Sequence, residues 1–120
     1  MVCRVLLVDD NSDFRRAARL LLERHGFAVV AEAASGISGI ERTQEHRPDL
    51  VLVDVQLPDI DGFEVAERLS RLEVPVDVVL TSSLDGTDCG ALIARSPALG
   101  FVPKAELSAS AIETLLSPAR

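Results

Sequence analysis

Residues 4–10 read RVLLVDD, an apolar, β-branched run that ends abruptly in two aspartates. A short run without polar alternation is typical of a strand that is buried on both faces, as in the middle of a parallel sheet. Residues 50–54, LVLVD, show the same pattern of an apolar run that ends in an aspartate. Each run therefore predicts a central strand with a carboxylate at its carboxyl end.

Helical and strand-like segments alternate along the rest of the chain. Apolar residues recur at helical spacing from 14 to 25, with Ser12 or Asp13 as the predicted cap and Gly26 as the predicted stop. Further helices are predicted over residues 37–46, 63–72, 85–95 and 108–116. Further strands are predicted over residues 28–34, 50–53, 76–80 and 100–102. Five strands thus alternate with five helices.

This alternation predicts an α/β fold, in which right-handed crossover helices cover both faces of a parallel sheet. The doubly wound, flavodoxin-like strand order 2-1-3-4-5 suits five strands in 120 residues. A chain of this length that is 48% hydrophobic suits one core. We expect residues 1–120 to form a single domain, with any C-terminal output domain lying beyond Arg120 and outside this chain.

Charge and hydropathy argue against two classes of partner. Nineteen acidic against twelve basic residues give a net charge of −7, which opposes the phosphate contacts that dominate nucleic-acid affinity. We therefore expect this chain itself to bind no nucleic acid. Every apolar run is shorter than the roughly 20 residues of a membrane span, and the amino terminus lacks the apolar stretch of a signal peptide. We expect a cytoplasmic protein without membrane contact.

Polar side chains lie at the predicted carboxyl ends of four strands: Asp9 and Asp10, Asp54, Thr81, and Lys104. Ligands of doubly wound sheets bind in the crevice at this edge. A lone aspartate after a strand is most often an ordinary turn residue. Lys104 alone would be a solvated loop lysine, and Thr81 alone a cap for the backbone after it. Their convergence on one crevice favours a shared chemical role.

Three carboxylates in one crevice repel one another unless an oxygen-preferring divalent cation supplies positive charge. Mg²⁺ fits, because it accepts a few carboxylates and keeps positions for water and a substrate oxygen. Asp54, at the end of the middle strand, is then the candidate nucleophile toward phosphorus, and the product would be an acyl phosphate. Lys104 and Thr81 offer donors to the phosphoryl oxygens.

In order and spacing, these residues resemble the receiver domains of two-component response regulators, the CheY-like family, from Arg4 to about Leu116. The matching motifs are Asp9-Asp10 for the acidic pair, Asp54 with residues 57–62, LPDIDG, for the phosphorylation site, Thr81 for the switch hydroxyl, and residues 101–104, FVPK, for the aromatic and lysine of the fifth strand.

The resemblance implies that a sensor histidine kinase donates a phosphoryl group to Asp54. It implies direct Mg²⁺ ligation by Asp10, Asp54 and the backbone carbonyl of Gln56, with Asp9 acting directly or through water. Lys104 and Thr81 would contact the phosphoryl group. Thr81 and Phe101 would then move together and alter the face formed by the fourth helix, the fifth strand and the fifth helix. Receivers of this family also dimerise through that face, although nothing in residues 108–116 identifies a dimer mode.

The resemblance describes a signalling module that handles its own phosphoryl group, not an enzyme with a separate substrate. The alternative is a pseudo-receiver, which keeps the fold and binds a partner without phosphorylation. A phosphatase with an aspartyl-phosphate intermediate is the third possibility. Such an enzyme needs a cap or a D-x-D nucleophile motif, but Gln56 lies two residues after Asp54, and we expect no room for a cap in 120 residues. Two residues depart from the family pattern: Ala105 follows the lysine where many receivers have a proline after a cis peptide, and Pro97 is expected to end the fourth helix by about Arg95.

Overall fold

The computed structural model describes residues 2–73, 75–83 and 90–116. Within this part of the chain, the strands are Arg4–Val8 (β1), Ala28–Ala33 (β2), Leu50–Asp54 (β3), Asp77–Ser82 (β4) and Gly100–Pro103 (β5). The α-helices are Ser12–Arg24 (α1), Gly36–His46 (α2), Gly62–Ser70 (α3), Gly90–Arg95 (α4) and Ala109–Leu116 (α5). The predicted alternation of strands and helices is confirmed.

All neighbouring strands pair in parallel, in the order β2-β1-β3-β4-β5. This is the doubly wound order that was predicted. In the register of the sheet, Val8 pairs with Val53, Asp54 pairs with Thr81, and Thr81 pairs with Val102. Because these pairs lie at the carboxyl ends of their strands, the polar residues at the carboxyl ends of β1, β3, β4 and β5 meet at one edge of the sheet.

The sheet separates two apolar clusters, which explains the unbroken apolar runs. Successive side chains of a strand point to opposite faces. Val5 and Leu7 belong to one cluster, whereas Leu6 and Val8 belong to the other. Helices α1 and α5 cover the first cluster with Ala18, Leu22, Ala109 and Ile112, and helix α3 covers the second with Val65, Ala66 and Leu69. Burial of both faces stabilises the central strands and fixes their register.

The predicted cap of α1 was wrong. Asn11 is the N-cap, and its side-chain oxygen accepts hydrogen bonds from the backbone N–H groups of Asp13 (3.0 Å) and Phe14 (3.1 Å). The helix therefore begins at Ser12, two residues earlier than the first apolar position suggested. Gly26 follows the helix with a φ of 89°, a left-handed conformation that glycine adopts at little cost.

Other bounds differ by one to a few residues. Strand β4 continues to Ser82, β5 continues to Pro103, and α3 ends at Ser70 instead of residue 72. A short 3₁₀ helix, Lys104–Glu106, follows β5 directly. The backbone of the described residues has no cis peptide bond. Helix α4 ends at Arg95 as predicted, while residues 85–89 of its predicted start lie outside the described residues.

Among the described residues, no helix is both long enough and apolar enough to cross a membrane.

Candidate functional site

Asp9 and Asp10 occupy the turn between β1 and α1. The backbone N–H of Asp9 donates to the carbonyl of Ala33 (3.0 Å), which extends the β1–β2 pairing by one residue. Asp9 is buried, and its Oδ1 accepts a hydrogen bond from the N–H of Asn11 (2.9 Å). Asp10 is exposed. One carboxylate of the pair is thus fixed in the crevice while the other faces solvent.

Asp54 is the last residue of β3 and is 5% exposed. Its Oδ1 accepts a hydrogen bond from the N–H of Gln56 (3.1 Å). The chain then turns away from the sheet: Val55 donates to the carbonyl of Thr81 (2.8 Å), and Gly62 donates to the carbonyl of Val55 (2.9 Å). These bonds leave Oδ2 of Asp54 for other partners.

The carboxylates of Asp9, Asp10 and Asp54 each offer an oxygen, and these three oxygens lie within 4.8 Å of one another. Oxygen atoms from carboxylates are the ligands that Mg²⁺ prefers. Asp9 Oδ2 is buried and has no aligned hydrogen bond among the described residues, although it lies in an ion pair. A buried carboxylate oxygen with spare acceptor capacity beside two others fits the predicted Mg²⁺ ligands.

Lys104 reaches this cluster from the end of β5. Its Nζ lies 2.7 Å from Asp9 Oδ2 and 3.3 Å from Asp54 Oδ2. The lysine side chain is only 17% exposed, so the charges interact with reduced screening by water. The structure therefore brings the predicted lysine and the predicted acidic residues together in one crevice.

Burial raises the pKa of Asp54 above its ordinary value, and the neighbouring charge of Asp9 raises it further. The N–H of Gln56 and the ammonium of Lys104 oppose that shift. Burial alone would lower the pKa of Lys104, yet its contacts with Asp9 and Asp54 raise that pKa above the ordinary value. The lysine thus stays charged and compensates part of the negative charge in the crevice.

Thr81 and Phe101 lie on adjacent strands behind the cluster. Thr81 pairs with Asp54 in the sheet and is 1% exposed, and its hydroxyl has no hydrogen-bond partner among the described residues. Phe101 is half-buried, pairs with Leu80 and packs against the second apolar cluster. The roles of Thr81 and Phe101 as switch residues, and that of the Gln56 carbonyl as a metal ligand, stay predictions.

Two residues of the site region were not foreseen from the sequence. Phe14 was predicted only as a helix residue, but its ring centroid lies 4.4 Å from Lys104 Nζ. Asp59 was predicted only as part of a turn, but its carboxylate accepts hydrogen bonds from the N–H groups of Gly36 and Ile37, both 2.8 Å. Each contact joins distant segments, so local sequence patterns carry no signal for it.

The family model for the response regulator receiver domain matches residues 5–116. The chain belongs to this family. The receiver fold and the recognition of the family from the strand-end motifs are thereby confirmed.

Curated relatives include a chemotaxis protein and a transcription regulator. The receiver is 33% identical over 84 residues to the chemotaxis protein CheY of Bacillus subtilis, with 70% of each chain covered. It is 44% identical over 84 residues to the transcriptional regulatory protein AfsQ1 of Streptomyces coelicolor, covering 70% of this receiver and 37% of AfsQ1. The chain spans about half the length of the first curated relatives that it matches.

Among solved structures, the receiver is similar to a two-component response regulator of the LuxR family from Aurantimonas sp. SI85-9A1. The TM-score is 0.87 at 31% identity, and the match covers 98% of this chain and 86% of that one. Receivers are signalling modules that occur in regulators with different outputs, so the family establishes the module and not the output of the whole protein.

Proposed function

We propose that this receiver accepts a phosphoryl group on Asp54 from the phosphohistidine of a sensor histidine kinase. The observation that carries the proposal is the position of Asp54: a carboxylate that is 5% exposed, within 4.8 Å of two other carboxylates and 3.3 Å from the Lys104 ammonium. Without a bound cation, the carboxylates of Asp9 and Asp10 place negative charge beside Asp54 that the Lys104 ammonium offsets only in part. The cluster is therefore suited to receive a cation and a phosphoryl group together.

In the transfer step, a carboxylate oxygen of Asp54 forms a bond to phosphorus while the bond between phosphorus and the histidine nitrogen breaks. The leaving imidazole nitrogen keeps the electron pair and takes a proton from solvent water. Asp54 must be ionised to attack; burial raises its pKa, while the hydrogen bond from Gln56 and the Lys104 ammonium limit that rise. Lys104 then lies close enough to pair with a phosphoryl oxygen at the position of the new acyl phosphate.

Asp9, Asp10 and Asp54 would hold the Mg²⁺ ion, with the backbone carbonyl of Gln56 as a further ligand. When bound, Mg²⁺ supplies positive charge that offsets the carboxylates and the phosphoryl oxygens. The protein's own contribution is positional: the turns after β1 and β3 keep the carboxylates converged, and Lys104 remains charged between Asp9 and Asp54. Catalysis here rests on placement and charge compensation.

The new charge would be read by Thr81, whose buried hydroxyl lies on the strand next to Asp54 and has no hydrogen-bond partner among the described residues. A phosphoryl oxygen would give that hydroxyl an acceptor. Movement of Thr81 would make room for Phe101 to rotate inward and would change the face of α4, β5 and α5. Pairing of two receivers through this face is the homodimer that we propose.

The match over residues 5–116 supports the proposal that residues 1–120 form one domain, whose biological product is a changed interface and not a released compound. Its acidic net charge of −7 supports a protein partner over nucleic acid for this chain itself. Contacts to DNA would then belong to a separate output domain of the whole protein.

The test incubates the protein with Mg²⁺ and acetyl phosphate and follows the intact mass. Wild type should gain one phosphoryl group, Asp54→Asn should gain none, and the control Asp13→Asn should behave as wild type, because Asp13 lies outside the carboxylate cluster. Absence of the added mass on wild type, with folding verified, would favour a pseudo-receiver that acts without phosphorylation. Equal labelling of Asp54→Asn would place the phosphoryl group on another residue.

A further inference from the structure

The Lys104 ammonium has an aromatic neighbour as well as its two carboxylates. Its Nζ lies 4.4 Å from the centroid of the Phe14 ring, within the distance at which a cation is attracted to the face of a ring. The same atom lies 2.7 Å from Asp9 Oδ2 and 3.3 Å from Asp54 Oδ2. The ammonium thus has two carboxylates and one aromatic ring as close neighbours.

The ring is held in place by the first turn of α1. The N–H of Phe14 donates to the side chain of the N-cap Asn11 (3.1 Å). The next residue, Arg15, pairs with Glu32 on β2 (2.9 Å) and donates to the backbone carbonyl of Asp9. The ring itself is half-buried and packs against the first apolar cluster. The N–H of Phe14 and the side chain of Arg15 thus tie the first turn of α1 to fixed parts of the fold.

Lys104 comes from a different segment and has a long, flexible side chain. Asp9 and Asp54 alone would hold the ammonium weakly once a cation binds, because the cation would compete with it for the oxygens of these two carboxylates. The attraction to the ring does not use those oxygens. It is also strengthened by the low exposure of the lysine, since the interaction between a cation and a ring grows when water is excluded.

We propose that Phe14 is a positioning residue, whose ring face holds the Lys104 ammonium at the crevice beside Asp54 while the carboxylates are engaged elsewhere. The inference rests on the proposed phosphoryl transfer to Asp54. Phe14 contacts Lys104 and acts through it. An aliphatic side chain of similar volume would keep the packing against the apolar cluster but would lose the attraction to the cation.

The test replaces Phe14 in two ways. Phe14→Leu removes the aromatic face, while Phe14→Tyr retains it. In parallel, 4-fluoro-, 3,5-difluoro- and 3,4,5-trifluorophenylalanine at position 14 weaken the negative face of the ring in steps and change its shape very little. For each protein, the initial rate of phosphorylation by acetyl phosphate is measured at saturating Mg²⁺. The chemical shift of the Lys104 ε-methylene protons is measured without Mg²⁺ or phosphodonor, because a ring face shifts nearby protons upfield.

We expect a roughly five-fold slower reaction for Phe14→Leu, a rate near wild type for Phe14→Tyr, and a stepwise decrease along the fluorinated series. The upfield shift of the Lys104 methylene protons should be present in wild type and Phe14→Tyr and absent in Phe14→Leu. Equal rates along the fluorinated series would overturn the inference and leave phosphoryl transfer intact, as would a wild-type methylene shift equal to that of Phe14→Leu. No labelling of wild type would overturn both the proposed function and the inference.

Discussion

Gly62 lies so close to Asp54 that a Cβ atom at position 62 would be 2.5 Å from the backbone oxygen of Asp54. The obstacle is backbone at the end of a central strand, so it cannot rotate away as a side chain could. We expect Gly62→Ala to lower the free energy of unfolding by about 2 kcal/mol. It should also reduce Mg²⁺ affinity, because the backbone of Asp54 must shift. Urea unfolding and Mg²⁺ titration provide the two measurements.

The matched control is Gly90→Ala at the start of α4. A Cβ atom there meets nothing within 4 Å in the part of the chain that the structure describes, and alanine is the better helix former. We expect no loss of stability for this variant. If Gly62→Ala were as stable as Gly90→Ala, the end of β3 could shift at little cost, and the expected clash with the backbone of Asp54 would not destabilise the fold.

Thr81 keeps a buried hydroxyl without a hydrogen-bond partner among the described residues. A hydroxyl in that position disfavours folding, because water can solvate it only in the unfolded chain. Thr81→Val has nearly the same shape and should raise the free energy of unfolding by up to about 1 kcal/mol. Phosphorylation of this variant should still occur on Asp54 but should change the output face less, as judged by chemical shifts of Phe101.

A drop in stability of more than about 1 kcal/mol for Thr81→Val would mean that the hydroxyl has a structural partner after all. Thr81→Ser is the complementary variant, since it keeps the hydroxyl and loses the methyl group. It should retain the response at Phe101 while losing stability through the deleted methyl group.

Asp59 has a pKa lowered from 3.8 to about 2, chiefly by the hydrogen bond from the Ile37 N–H and also by that from Gly36. A lowered pKa in the folded state means that ionised Asp59 favours folding. This contribution is fully present above pH 3.8 and is lost as the pH falls toward about 2. The pKa can be measured from the side-chain carbonyl carbon shift in an NMR titration.

The comparison protein for that titration is Asp59→Asn, which cannot ionise. The stability difference between wild type and this variant should be constant near neutral pH and should narrow between pH 3.8 and about 2. A midpoint at or above 3.8 for Asp59 would mean that its hydrogen bonds from the N–H groups of Gly36 and Ile37 are not formed in solution.

Mg²⁺ should stabilise the folded receiver, since the three converged carboxylates exist only in the native state. At a concentration ten times its Kd, the ion should add about 1.4 kcal/mol, which raises the Tm by roughly 3–6 °C for a domain of this size. Chelation with EDTA should reverse the increase. Asp10→Asn should lose most of it, while Asp13→Asn, with the same change in charge, should keep it. An equal increase in all three proteins would indicate binding of Mg²⁺ elsewhere.

The sheet and its functional edge were predictable because their causes are local. Each central strand is an apolar run, and the parallel order places the residues after these runs at one edge. Asp9, Asp54 and Lys104 could therefore be expected to converge from their positions along the chain. That residues 1–120 form a single domain stays a prediction.

The remaining features depend on contacts between distant segments. Asp59 accepts a hydrogen bond from the N–H of Gly36, 23 residues before it, and Phe14 contacts a lysine 90 positions away. The position of the N-cap, Asn11 instead of Ser12, depends on the residue at which helical backbone dihedrals begin. The spacing of apolar residues locates that residue poorly. Spacing identifies which strands and helices exist, whereas tertiary packing decides which side chains touch.

The central claim is that Asp54 carries the phosphoryl group, and reduction of the acyl phosphate tests it most directly. Wild type is incubated with Mg²⁺ and acetyl phosphate, treated with sodium borohydride, digested and sequenced by mass spectrometry. Borohydride reduces an aspartyl phosphate to homoserine and leaves free aspartate unchanged. We predict homoserine at position 54 and at no other aspartate, and its absence when Mg²⁺ is removed. Homoserine at Asp9 or Asp10, or labelled protein without homoserine at position 54, would contradict the account.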